Sequence, residues 1–411
     1  MTSIWWCLLI PIIGSAIKIA FFHKRLTWWE IFIPTVACIF FIGIFKAIVE
    51  KVQVTDTEYH GALIVSARYY EPYETWVKRT CSYTTCTGSG KTRVCTTHYY
   101  DCSYCDYNGP EWEVTNSLGQ KWGVSEEYYN YLKKKWSATP YFVELNRDIN
   151  YHGGCGKDGD AYEIQWDKKP LTSESTTTEN SYENRVQAAH TAFDFPEITE
   201  ADKKRYKLFD YPPVNSFVQK TVLGIDSIGW LKGREKERMI QWSKYLNGHL
   251  GPKKHARVYI LLFKDMPSLA SNMQEAYWSG GNDNELIVCI GLSSKDRKIS
   301  WVKPFTWSPN RKIIPDVRED IMKTRFFNPD IIAKSILTNV EKEYKRKDFS
   351  EFSYLTIEPP TWAKWTTFFV TLIITIAVCY WTINNDIEGD DSFTDIRDRI
   401  NGNYHWTRRK W

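Results

Sequence analysis

Three long apolar runs, two at the start of the chain and one near its end, constrain this sequence more than any other feature. From Ile4 to Phe22 it reads IWWCLLIPIIGSAIKIAFF, with Lys18 its only charge; Ile31 to Ile48 carries only Lys46, and Trp365 to Ile383 carries none. About 19 residues, each rising ~1.5 Å, cover a bilayer core of ~30 Å. Trp5, Trp6, Trp28, Trp29, Trp362, Trp365 and Trp381 stand at the edges of these runs, where an amphipathic ring keeps one side wet. The pattern predicts a multi-pass membrane protein with three transmembrane helices, two within 1–50 and one over 362–383. A signal peptide is a poor reading of the first run, because no Lys or Arg precedes it and no small-x-small site closes it.

The short loop after the first run holds His23, Lys24 and Arg25. Placed inside by the positive-inside rule, it puts the N-terminus and the 51–361 region outside and the 384–411 tail, with Arg408, Arg409 and Lys410, in the cytoplasm. The formal net charge of +4, from 53 basic and 49 acidic residues, is too small and too dispersed for a nucleic-acid partner. The expected partners are the lipid bilayer and an envelope protein.

Cysteine usage agrees with an outer location. Cys7, Cys38 and Cys379 fall in the apolar runs and Cys289 in an apolar strand, so these four read as reduced. Cys81, Cys86, Cys95, Cys102, Cys105 and Cys155 are an even set gathered in a Tyr- and Thr-rich stretch, the mark of a disulfide-stapled module whose pairing spacing does not fix. A zinc site including the Cys102/Cys105 CxxC and His98 is the alternative. TGSGKT, 87–92, resembles the end of a phosphate loop but lacks the first glycine and a preceding buried strand, so it reads as a hairpin tip. The outer region has no N-x-[ST] acceptor, which favours a bacterial or phage source.

Short aromatic or β-branched segments over 51–170 predict a mostly-β, Cys-rich unit interrupted by one helix, opened by Ser125, Glu126 and Glu127 and closed by Lys133, Lys134 and Lys135. Residues 171–233, beginning LTSESTTTENS, read as linker and irregular chain. From 234 to 348 the rhythm changes to α-β-α-β-β-α-α. The first helix ends at Gly251-Pro252, RVYILLF and LIVCIGL are buried parallel strands around a helical crossover, and Lys298 to Trp307 returns antiparallel. The expected fold class is thus α+β outside the membrane, a Cys-rich β unit plus an α/β sandwich.

The succession of a helix, RVYILLF, AYWSGGNDNELIVCIGL, KDRKISWV and two helices resembles the TPM domain family, the group of TLP18.3, Psb32 and MOLO-1, over 234–348. A transmembrane helix after the domain is common in bacterial members. The resemblance implies a fold more firmly than an activity, since members include phosphatases, calcium binders and assembly factors. The family pattern ends its loop in Asp-Asn-Gly, whereas this chain has Asp283-Asn284-Glu285. Those three residues offer oxygen ligands suited to Ca2+ or Mg2+, although Asn and Gly also simply satisfy turns; Asp296, Asp316, Glu319 and Asp320 are candidates to complete a site or, equally, helix-dipole partners. No Ser/His/Asp or Cys/His spacing argues for nucleophilic catalysis, and His190, His249 and His255 read as surface residues. The function expected is a membrane-anchored extracytoplasmic binding or assembly module of the cell envelope, non-enzymatic or weakly so; the alternative is a metal-dependent phosphoester hydrolase built on the Asp283 loop.

Overall fold

The computed structural model describes residues 4–22, 28–145, 155, 159–189, 193, 195–217 and 219–384. His23, Lys24, Arg25, His190 and the tail from 385 lie outside the described residues. The chain forms two compact units, one gathering described residues of Met1–Asp56, Ser181–Phe195 and Phe349–Trp411, the other Thr57–Asn180 and Pro196–Asp348.

The first unit is helical. A 3-10 turn, Ile4–Leu8, leads into α1, Leu9–Phe22; α2 covers Trp28–Val54, and a C-terminal helix covers Thr361–Asn384. Two segments, Ile31–Val54 and Thr361–Trp381, are long and apolar enough to cross a membrane, while the apolar helix Ile4–Ile17 is shorter. Thr367, Thr371 and Thr375 form a buried stripe at four-residue spacing. Each hydroxyl donates to the carbonyl one turn back, at 2.8 Å, so the stripe presents methyl groups to its neighbours. A Cβ added at Gly14 would lie 2.6 Å from Thr375 Cγ2, which places backbone against small side chain as helices packed in lipid do. Phe40, Ile44, Ile373 and Ile376 remain exposed.

The second unit begins with β1, Thr55–Tyr70, followed by β2, Tyr73–Val77, β3, Thr80–Thr87, β4, Val94–Asp101, β5, Tyr104–Asn108, β6, Glu111–Asn116, and β7, Lys121–Gly123. Helix α3, Glu126–Trp136, precedes β8, Tyr141–Val143, β9, Ala161–Gln165, and β10, Ser175–Glu183. The sheet order is β7-β6-β1-β9-β8, with β10 also on β1; β2/β5 and β3/β4 are separate two-stranded ribbons inserted between β1 and β6. Ser125 caps α3 by accepting from Tyr128 N, and the helix lays Tyr129, Leu132 and Trp136 on Ile64, Val114 and Ile164, as its predicted polarity requires.

The stretch expected as linker is instead partly sheet. Ser173 to Thr177 is buried, and apart from the Thr177 hydroxyl partners replace water: Asn116 Nδ2 donates to Thr176 Oγ1 at 3.0 Å, and Glu174 accepts from Lys135 at 2.6 Å, Lys244 at 2.8 Å and the Tyr131 hydroxyl at 2.8 Å. The charges of Lys244 and Lys135 overcome the effect of burial and hold Glu174 below the usual carboxylate range.

The α/β part opens with a strand that lay in the expected linker, a short β11, Val222–Leu223, and then has the predicted order: α4, Arg234–Lys254, β12, Arg257–Lys264, α5, Leu269–Tyr277, β13, Glu285–Leu292, β14, Ile299–Thr306, α6, Ile313–Met322, and α7, Pro329–Glu343. Strands β11, β12 and β13 are parallel and β14 is antiparallel. Met239, Leu246, Val288, Val317 and Ile336 form the larger core on one sheet face; Tyr259, Phe263, Ala270 and Cys289 pack on the other. Burial pushes the Cys289 thiol up to about 12, so it is an inert core group. Contrary to expectation, α4 runs through Gly251-Pro252 to Lys254, capped by His255 in the left-handed region. Gly251 serves close packing rather than termination: a Cβ there would meet Gly61 O of β1 at 2.1 Å. The Asn247 side chain fastens the same helix to β12, accepting from Val258 N at 2.7 Å and donating to Val258 O at 3.0 Å.

Candidate functional site

The loop singled out in the sequence becomes a buried junction between β1 and the α/β sheet. Gly280 and Gly281 take left-handed conformations, with φ of 82° and 80°, and the Trp307 indole lies so close that a Cβ at Gly280 would meet its Nε1 at 2.7 Å. Only glycine fits both constraints. The chain then buries Asp283, Asn284 and Glu285 completely. Asn282 and Asn284 donate through their side-chain amides to the β1 carbonyls of Thr57 and Tyr59, each at 3.0 Å, stitching the loop to that strand.

Asp283 meets two charged groups. Arg346 Nε donates to its Oδ2 at 3.0 Å, and Nη2 lies 2.7 Å from both Asp283 Oδ2 and Glu58 Oε2. On the far side of Glu58, His60 Nε2 lies 3.0 Å from Oε1, and the His60 ring meets His255 edge-on. Asp283 Oδ1 finds no donor, and the two carboxyls are gathered on one guanidinium nitrogen, an arrangement in which like charge and burial disfavour ionising both. Burial, then the charge of Glu58, push Asp283 up to about 8 despite Arg346. Burial works against ionised Glu58 too, but its hydrogen bonds to His60 and Asp283 and the charges of His60 and Arg346 hold it below its ordinary value.

A second buried pair lies at the strand starts. Arg257 and Glu285 are register partners across β12 and β13, and a relay joins them: Arg257 Nε donates to the Tyr259 hydroxyl at 2.7 Å, Tyr259 to Tyr211 at 3.1 Å, and Tyr211 to Glu285 Oε1. Burial, reinforced by the Glu285 charge, keeps Tyr211 protonated by raising it well above its usual range. The guanidinium carbon lies 5.2 Å from the Tyr59 ring and 5.1 Å from that of Tyr259. Around the starts of these strands two guanidiniums therefore face three carboxyls, with His60 beside Glu58.

The three residues expected to bind a cation are thus adjacent in sequence but engaged differently: Asp283 with Arg346, Asn284 with β1, and Glu285 with Tyr211 and the backbone amide of Asn282. Asp296 pairs with Lys298 and Asp320 with Lys323, each at 2.8 Å. Among the described residues no three His, Cys, Asp or Glu side chains gather as a metal centre. His249 is an ion-pair partner of Glu341 at 2.9 Å, stacked on Tyr245. Glu58, His60, Arg257, Tyr211 and Arg346 were missed by sequence reasoning. Arg257 and Glu285 carry one usable signal, a charge opening each of two apolar strands.

The cysteines build a second feature. Cys81 pairs with Cys102, Cys86 with Cys95 and Cys105 with Cys155, which engages all six thiols, including those a four-Cys or three-Cys-and-His zinc site would need. Cys86 and Cys95 face each other directly across the β3/β4 ribbon, and TGSGKT is its turn. Almost every residue of this ribbon is exposed. Tyr83 stacks on His98 at 5.0 Å and lies 6.1 Å from Tyr100; Tyr99, 75% exposed, alternates onto the opposite face. Lys78, Arg79, Lys91 and Arg93 are exposed on and beside the ribbon.

Comparison with family models, curated proteins and solved structures finds no match to this chain.

Proposed function

We propose that the chain is a membrane-anchored extracytoplasmic binding or assembly module of a bacterial or phage-infected cell envelope, and that the β3/β4 ribbon is its contact surface. The observation that carries this reading is an exposed aromatic row on a ribbon held by two disulfides. Tyrosine buries large area at small entropic cost, and cross-linking removes most of the ribbon's remaining freedom before binding. Disulfides persist in oxidising compartments, which supports placing the large region outside, with three spans, the N-terminus outside and the tail in the cytoplasm. The α-β-α-β-β-α-α order over 234–348 supports reading that part as TPM-like.

The test is a photo-crosslinking residue at position 96, on the same face as His98 and Tyr100, of the full chain in its native membrane. One dominant adduct with an envelope protein, lost when Tyr83 and Tyr100 are both changed to Ser, is the expected result. Equal labelling of many proteins, or of lipid alone, would overturn the reading.

A metal-dependent phosphoester hydrolase is the second reading. In its favour, Asp283 Oδ1 and Asn284 Oδ1 are buried acceptors without donors, open to a hard cation. Against it, Arg346 already supplies a cation to Asp283. Phosphatase turnover abolished by chelator and by Asp283→Ala would support it; turnover indifferent to both would remove it.

A further inference from the structure

Three segments of the helical unit close around one groove of about 480 Å³, lined by residues from Ile4 to Ile12, by Lys46 of α2, and by the backbone turn Thr356, Ile357, Glu358 and Pro359. Trp5, Trp6, Leu9 and Ile12 make its walls apolar. Lys46 is half-buried and has no hydrogen-bond or ion-pair partner among the described residues. The groove's one carboxylate, Glu358, has its own cation, Lys364, at 3.5 Å. Next to Lys46, Phe45 meets Trp362 edge-on, and Trp5, Trp6, Trp362 and Trp365 are all exposed. Such tryptophans mark the headgroup level. An unpaired ammonium in an apolar wall is costly unless it meets an anion, and at headgroup depth that anion is a phosphate.

We propose that this groove seats one anionic phospholipid, with an acyl chain against Trp5, Trp6, Leu9 and Ile12 and its phosphate on Lys46. The inference rests on the membrane reading above. It commits to lipid rather than free phosphate because the walls complement a hydrocarbon chain and the single unpaired charge complements one phosphate.

Full-length protein in neutral detergent would be titrated with phosphatidylglycerol, with phosphatidylcholine of identical acyl chains, and with inorganic phosphate, and adducts read by native mass spectrometry. The expected result is about fivefold preference for phosphatidylglycerol and no phosphate adduct. Lys46→Gln should abolish the preference, Lys51→Gln should keep it, and Ile12→Trp should lower occupancy by both lipids. Equal binding of the two lipids, a preference surviving Lys46→Gln, or binding of phosphate alone would overturn the proposal. Alkaline carbonate treatment separates the failures: extraction of the protein from membranes overturns the membrane reading and this inference together, whereas retention without lipid preference overturns this inference alone.

Discussion

Asp283 and Glu58 meet at one nitrogen, Nη2 of Arg346, 2.7 Å from an oxygen of each, and the two acids are unequal because their neighbours are. Glu58 accepts from His60 as well as from Arg346, while Asp283 is enclosed with one oxygen that no donor reaches. Burial and the Glu58 charge therefore raise Asp283, while Glu58 is held below its ordinary value.

The first prediction concerns alkaline stability. The folded-state value of Asp283 is raised from 3.8 to about 8, so between those values the folded protein binds more protons than the unfolded chain. Stability from this group is full below its unfolded value and falls as pH rises towards about 8. Asp283→Asn, which supplies a permanent N–H donor, should flatten that slope and be the more stable protein at about pH 9. Urea midpoints across the range measure it; an unchanged slope would mean that Asp283 ionises normally.

Glu174 should behave in the opposite sense. Its folded value is lowered, so its contribution is present above the unfolded carboxylate range and is lost as pH falls through the folded value. Glu174→Ala leaves Lys135 and Lys244 without their shared buried carboxylate and should cost about 3–5 kcal/mol at neutral pH. Denaturant unfolding checks this, and a cost below about 1 kcal/mol would indicate a solvated pair.

The three disulfides should not be equivalent. Cys86–Cys95 spans a separation of 9 residues within an exposed ribbon, while Cys105–Cys155 spans 50. By loop entropy the longer closure is worth about 4 kcal/mol and the shorter about 2.5. Replacing Cys105 and Cys155 with Ser should lower the melting temperature of the sheet more than replacing Cys86 and Cys95, whose loss should mainly weaken partner crosslinking. Equal shifts would contradict the loop-length argument.

Gly251→Ala should destabilise by about 1–3 kcal/mol through overpacking, because its Cβ would be driven into the Gly61 backbone of β1. Helix propensity alone predicts the reverse, about 1 kcal/mol of gain. The sign of the measured change decides between the two.

Local pattern carried much of the fold. RVYILLF and LIVCIGL are recognisable as buried strands, and a helical crossover makes them parallel. An even cysteine cluster beside four isolated apolar cysteines separates bonded from free thiols. What local pattern cannot carry is pairing across distance. Nothing around Glu58 in TEYHGALIV announces Asp283, and STTT reads as solvated because hydropathy records a preference for water, not whether protein partners will replace it. Asp283 was identifiable as a turn acid, but its raised value was not: that depends on burial and on Glu58 arriving beside it. Gly251-Pro252 has the composition of a helix stop, and only the approach of Gly61 reveals why glycine is needed within the helix.

The raised value of Asp283 also bears on how the whole molecule migrates. The formal charge of +4 counts every aspartate as ionised, whereas a folded-state value of about 8 for Asp283 favours its neutral acid at pH 7. Unfolding to the ordinary carboxylate range would release that proton, so through this residue the native chain would be more positive than its denatured form. The fold is thereby legible as a step in electrophoretic mobility across a urea gradient, without any ligand or enzymatic assay.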